Sequence, residues 1–121
     1  MNTTHDIDSI ARILQQHGWA VTQQQRATLV EFAALLLAWN RRINLISRRD
    51  EEELWRNHML HSLGALCLLR FPRQGRVIDI GSGGGLPAVP LAIMLPDVQF
   101  ILVDSVRKKI RAVGEMVCLL Y

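Results

Sequence analysis

The sequence predicts an α/β protein with a parallel sheet of the doubly wound kind, preceded by an all-helical segment. Three observations carry that reading. The apolar run Val77-Ile78-Asp79-Ile80 holds a carboxylate and passes straight into Gly81-Ser82-Gly83-Gly84-Gly85. A helix-like stretch, Val89 to Leu95, follows about a turn later. A second apolar run, Phe100-Ile101-Leu102-Val103, then ends in another acid, Asp104. Strand, glycine loop, helix, strand, acid is the opening of a nucleotide-type cofactor site in such a sheet.

The elements follow in order. Ile7, Ile10, Ala11 and Leu14 recur at helical spacing, with Gly18 where a helix would be capped. Thr22 with Gln25 three residues on is the pattern of a capping box. Leu29, Phe32, Ala33, Leu36 and Leu37 then form a wide apolar face that ends near Trp39, and residues 40–47 read as a turn or loop. Asp50 with Glu53 repeats the capping pattern and predicts a helix through Trp55, His58, Met59 and Leu63 to about Leu69. Residues 72–75 break the chain. From Arg76 the period shortens: Val77 to Ile80 predicts a buried strand, Pro87 to Leu95 a helix with proline in its first turn, and Phe100 to Val103 a second strand. Val106, Ile110, Val113 and Val117 mark one face of a last helix whose other sides carry Arg107, Lys108, Lys109 and Arg111. The organisation expected is a helical cap over residues 1–72 and the start of an α/β domain over 73–121. Two parallel strands leave an edge unpaired, so the sequence reads as the front part of a longer domain, truncated after the second strand and its following helix.

Composition narrows the function. The chain has 121 residues, half of them hydrophobic and 21% charged, which suits one folded domain rather than a disordered chain. No apolar run approaches the roughly 20 residues that span a bilayer, and the N-terminus has neither the basic nor the apolar region of a signal peptide. A cytosolic protein with no membrane partner is expected. Cys67 and Cys118 lie far apart in apolar surroundings and read as buried free thiols. His5, His17 and His61 show no metal-ligand spacing with cysteine or carboxylate, so no metal is expected. The net charge of +3, from 14 basic and 11 acidic residues, permits an anionic partner. Its basic residues come in knots: Arg41-Arg42, Arg48-Arg49 and Arg107-Lys108-Lys109 with Arg111.

The glycine loop selects among cofactors. A dinucleotide fingerprint needs glycine at position 86, where the chain has Leu86, and no Gly-Lys-Ser/Thr follows as a phosphate-binding P-loop requires. The observed spacing is Asp79, Gly81, Gly83, Gly85. It matches the first motif of class I S-adenosylmethionine methyltransferases, in which a carboxylate before the loop suits a ligand bearing an amino group. Asp104, at the end of the second strand, is placed to accept hydrogen bonds from ribose hydroxyls. A nicotinamide or flavin dinucleotide and a purely structural turn remain the alternatives.

Further motifs carry a closer likeness. Trp39-Asn40-Arg41-Arg42-Ile43-Asn44-Leu45, Arg49-Asp50 with Glu53, and His58-Met59-Leu60-His61-Ser62-Leu63 occur in order ahead of the glycine loop. Ile80 to Ala92 and Val103-Asp104-Ser105 with Lys108-Lys109-Ile110-Arg111 complete the series. Together they resemble the bacterial 16S rRNA guanine-N7 methyltransferase family, RsmG, also called glucose-inhibited division protein B. The resemblance implies a Rossmann-like class I methyltransferase fold with a helical N-terminal cap, S-adenosyl-L-methionine as cofactor, and small-subunit ribosomal RNA or the assembled 30S particle as partner. It places Gly81, Ser82, Gly83, Gly85, Leu86, Asp79 and Asp104 at the cofactor. Arg41, Arg42, Arg48 and Arg49 become candidates for rRNA phosphates, though a solvated surface explains them equally. His61 stands where the family has aspartate, and Ala88 where glycine is common. The family's adenine-recognising acidic segment and its catalytic positions lie beyond Tyr121, so no catalytic residue is assigned. A non-catalytic RNA- or cofactor-binding fragment and an NAD-binding oxidoreductase half are the competing readings.

Overall fold

The computed structural model describes residues 3–121. Helix α1 (Thr3–Gln16) buries Ile7, Ile10, Ala11 and Leu14, the four residues whose spacing predicted it. It ends where expected: the Gly18 and Trp19 amides turn back to the Gln15 and Leu14 carbonyls. Helix α2 (Gln23–Asn40) starts from the predicted capping box. Thr22 Oγ1 accepts from the Gln25 amide at 3.0 Å, and Gln25 Oε1 accepts from the Thr22 amide at 2.9 Å. These bonds satisfy donors that a helix start otherwise leaves open. Thr22→Ala is expected to cost about 1 kcal/mol, read as a melting temperature lower by roughly 4 °C.

The next segment departs from expectation. Asp50 does not open a helix through Glu53. Ser47 instead caps a short 3-10 turn (Arg48–Asp50), and residues 51–53 form a turn. The Asp50 carboxylate reaches forward to two side chains, Asn57 Nδ2 at 3.0 Å and His58 Nε2 at 3.1 Å. With that acceptor spent on side chains, the helix starts late, in a π-helical stretch (Trp55–Leu60) that runs into α3 (His61–Leu68).

Strand β1 (Arg76–Ile80), helix α4 (Ala88–Met94) and strand β2 (Gln99–Val103) follow as predicted. The strands pair in parallel, Arg76 opposite Gln99 through Ile80 opposite Val103, in a two-stranded sheet. One sheet face meets the helices through Val77, Phe100 and Leu102. The other leaves Ile78, Ile80 and Val103 at 60%, 83% and 47% exposure, so the strands are not buried on both faces as a parallel sheet was expected to be.

Helix α5 (Arg107–Leu120) corrects another expectation. Its buried stripe is Ala112, Val113 and Met116, while Val106 and Ile110 are exposed. The helix packs on α2 rather than flat on the sheet, which rotates its inner face. Cys118 lies off that stripe and is exposed; Cys67 is half-buried, and both are free thiols. The apolar cluster is continuous from Leu14, Phe32 and Leu36 through Leu54, Met59 and Leu63 to Val89, Val113 and Met116. Among the described residues no helix is long and apolar enough to cross a membrane.

Candidate functional site

The glycine loop springs from the carboxyl end of β1. The Val103 carbonyl accepts from both Gly81 and Ser82, at 2.7 and 3.1 Å, which peels the loop off the sheet beside the end of β2. Gly81, Gly83 and Gly85 all have positive φ, at 81°, 52° and 90°, where side chains cost energy and glycine does not. Their surroundings divide them. A Cβ at Gly81 or Gly83 would meet nothing within 4 Å, so these two present bare backbone to open space. At Gly85 it would lie 2.8 Å from Val89 Cγ2 and 3.3 Å from Val113 Cγ1; at Gly84, 3.0 Å from Leu36 Cδ1 and 3.1 Å from Leu45 Cβ. The latter two glycines are packing residues that let the loop seat on α2, α4 and α5. Leu86 is half-buried beside them.

The two acids flank this loop in different states. Asp104 is held below the usual carboxylate range, chiefly by backbone N–H donors. Its Oδ1 accepts from Val106 and its Oδ2 from Gly83, both at 2.9 Å. It thereby ties the glycine loop to the head of α5. Asp79 is pushed up, first by burial; the Ala88 backbone N–H works against that shift, and the nearby charge of Asp104 adds to it. Asp79 Oδ2 is buried with no hydrogen-bond partner, and so is the hydroxyl of Ser82. Buried polar atoms are rarely left so, and two of them adjoin one loop.

A second structured loop abuts the first. Asn40, fully buried at the end of α2, accepts from the Leu45 and Ile46 amides at 2.8 and 2.9 Å through Oδ1, and donates to Glu51 Oε1 at 2.6 Å. One side chain thus fixes residues 41–46 and brings Leu45 against Gly84. Arg41, Arg42, Arg48 and Arg49 are exposed around it, with the Arg42 guanidinium 4.4 Å over the Trp39 ring. His58 is half-buried and paired with Asp50. Among the described residues no cluster of three or more His, Cys, Asp or Glu is placed to hold a metal. Sequence reasoning did not single out Asn40, although it stands in a quoted motif. Its buried polar character after an apolar helix face was the available signal.

A parallel strand–loop–helix–strand unit with a glycine-rich first crossover places the chain among α/β proteins, whose ligand sites lie beyond the carboxyl ends of the strands. Residues 25–120 match the family described as rRNA small subunit methyltransferase G, GidB, and the chain belongs to that family. It is 40% identical over 124 residues to a ribosomal RNA small subunit methyltransferase G of Bacteroides fragilis, covering 96% of this chain and 55% of the relative. Identity is 41% to the protein of that name in Chlorobaculum tepidum (93% and 52% covered) and 46% to that in Parabacteroides distasonis (87% and 45% covered). The chain spans about half the length of the curated relatives it matches. Methyltransferases of this kind use S-adenosylmethionine.

Proposed function

We propose that this chain forms the front of an S-adenosylmethionine-dependent methyltransferase that acts on guanine N7 of small-subunit rRNA. In this reading residues 73–121 open a doubly wound class I domain and residues 1–72 form its helical cap. The observation that carries it is the pair of buried, unpartnered acceptor groups, Asp79 Oδ2 and Ser82 Oγ, beside bare backbone at Gly81 and Gly83. These residues suit the cofactor. A buried carboxylate gains most from a cationic group, and the ligand's amino group is one. Asp104 spends one lone pair of each oxygen on backbone amides, and carboxylate oxygens have capacity for further donors such as ribose hydroxyls.

When bound, S-adenosylmethionine supplies an electrophilic methyl group on a sulfonium. The part of the chain's own residues is to position: Asp79 and Asp104 orient opposite ends of the ligand, and Gly81 and Gly83 allow close approach. Guanine N7 carries its own lone pair, so no side chain has to remove a proton before attack. Catalysis then rests on alignment and electrostatics. Arg41, Arg42, Arg48 and Arg49 are the proposed rRNA contacts.

Calorimetric titration of the chain with S-adenosylhomocysteine, with NAD as the control, tests the cofactor reading. Saturable binding of S-adenosylhomocysteine alone is expected, weakened roughly tenfold or more, about 1.4 kcal/mol, by Asp79→Asn. A preference for NAD would sink the methyltransferase reading. Absence of binding by a cooperatively folded chain would show that these residues do not form the site by themselves.

A further inference from the structure

Two basic knots about 60 residues apart in sequence line one cleft. One cavity of about 450 Å³ lies among Arg41, Arg42, Arg48, Lys108 and Lys109. A second of about 500 Å³ adjoins it, sharing Asn44, Arg48 and Lys109. Arg49 lines neither. Among the described residues the salt bridges are Arg26–Asp8 and His58–Asp50, so none of these five cations is salt-bridged to a carboxylate, although the charge of Lys109 reaches Asp104 and helps hold its carboxyl down. The cleft is held in shape. Asn40 fixes its 41–46 wall, and Trp39 stacks Arg42. Val106 lines the first cavity and donates to Asp104, which grips Gly83.

We propose that this cleft between residues 41–48 and the head of α5 is a seat for consecutive RNA backbone phosphates, set at a fixed distance from the glycine loop. The proposal rests on the rRNA reading above and deepens it. Cations free of salt bridges and converging on an open groove favour a polyanion, because binding releases the polyanion's counterions. The contact of Leu45 with the loop at Gly84 makes the phosphate seat and the cofactor loop one rigid unit. A strand gripped in the cleft therefore presents its bases at a constant offset from the loop.

The chain offers an unusually clean probe, since Lys108 and Lys109 are its only lysines. Saturation with a 12-nucleotide oligouridylate is expected to slow their acetylation several-fold relative to the α-amino group. Unchanged acetylation with RNA bound would overturn the proposal. Fluorescence anisotropy with the same RNA supplies the second reading. Arg41→Ala/Arg48→Ala and Lys108→Gln/Lys109→Gln are each expected to weaken binding roughly tenfold at low salt and to reduce the salt slope by about 1.4, two contacts at about 0.7 each. Arg12→Ala/Arg73→Ala, which removes the same charge outside the cleft, is expected to change neither. Equal losses in all three would reduce the effect to net charge and overturn the seat. Equally tight binding of poly-L-glutamate would overturn it in favour of an acidic protein partner. The same preparations titrated with S-adenosylhomocysteine separate the two readings. A parent chain that binds S-adenosylhomocysteine but not the RNA sinks only the cleft, and one that binds the RNA but not S-adenosylhomocysteine sinks only the cofactor site.

Discussion

Asn40→Ala is expected to remove a large part of the chain's stability, about 2–6 kcal/mol. The substitution leaves the Leu45 and Ile46 amides without their acceptor, and both residues are buried. Each buried amide so orphaned costs about 1–3 kcal/mol, against a total that for domains is only about 5–15 kcal/mol. Asn40→Asp separates the two halves of the role. It keeps an acceptor for the two amides but sets a carboxylate against Glu51 Oε1, to which Asn40 donates at 2.6 Å. Adding Glu51→Gln to Asn40→Asp is therefore expected to recover most of the loss. Urea melts of the three variants decide it. An Asn40→Ala chain within about 0.5 kcal/mol of the parent, the range of inconsequential surface changes, would mean that the amides find other partners and that the loop is not fixed by this residue.

Gly85→Ala is the second large effect. Two separate penalties coincide there. A φ of 90° costs an alanine about 1–2 kcal/mol, and its methyl would sit 2.8 Å from Val89 Cγ2 and 3.3 Å from Val113 Cγ1, overpacking worth about 1–3 kcal/mol. Gly81→Ala carries the first penalty alone, since the space beside it is open. The expected order of stability is parent, then Gly81→Ala, then Gly85→Ala. Val89→Ala in the Gly85→Ala background should return the part of the steric share owed to Val89 and leave the backbone share. The order for ligand affinity is expected to be different: Gly81→Ala, the milder of the two in a melt, obstructs the open side of the loop. If Gly81→Ala destabilised as much as Gly85→Ala, the division of this loop into packed and open-sided glycines would be wrong.

The sequence made the elements legible wherever a local pattern was also the tertiary one. The fold keeps the α1 stripe and the Thr22–Gln25 box, and both strands form where the apolar runs stand, though with one face exposed. It failed where a side chain chose a distant partner. Asp50 looked like a helix cap because only local amides are visible in sequence; in space Asn57 and His58 compete for it. Val106 and Ile110 looked like the inner face of α5 because they share a helical stripe with Val113, but docking on α2 selects Ala112, Val113 and Met116. The glycine loop was legible as a motif, yet its spacing alone does not tell a glycine that borders open space from one that admits Val89. The basic knots were visible as charge; that residues 41–48 and 108–109 line one groove is a property of the packing of α2 against α5.

The continuous core has a consequence for how the chain is made. Met116, near its end, is fully buried in the same cluster as Leu14 and Phe32. During synthesis the N-terminal helices leave the ribosome well before α4 and α5 exist, with their apolar stripes still uncovered. Domains ordinarily fold as units as they emerge, and the place of Met116 in this cluster is filled only once residue 116 has cleared the exit tunnel. Until then the helices of the nascent chain can bury their stripes only in part, against one another. Pausing after α3 would prolong the exposure of whatever part of those stripes α4 and α5 go on to cover.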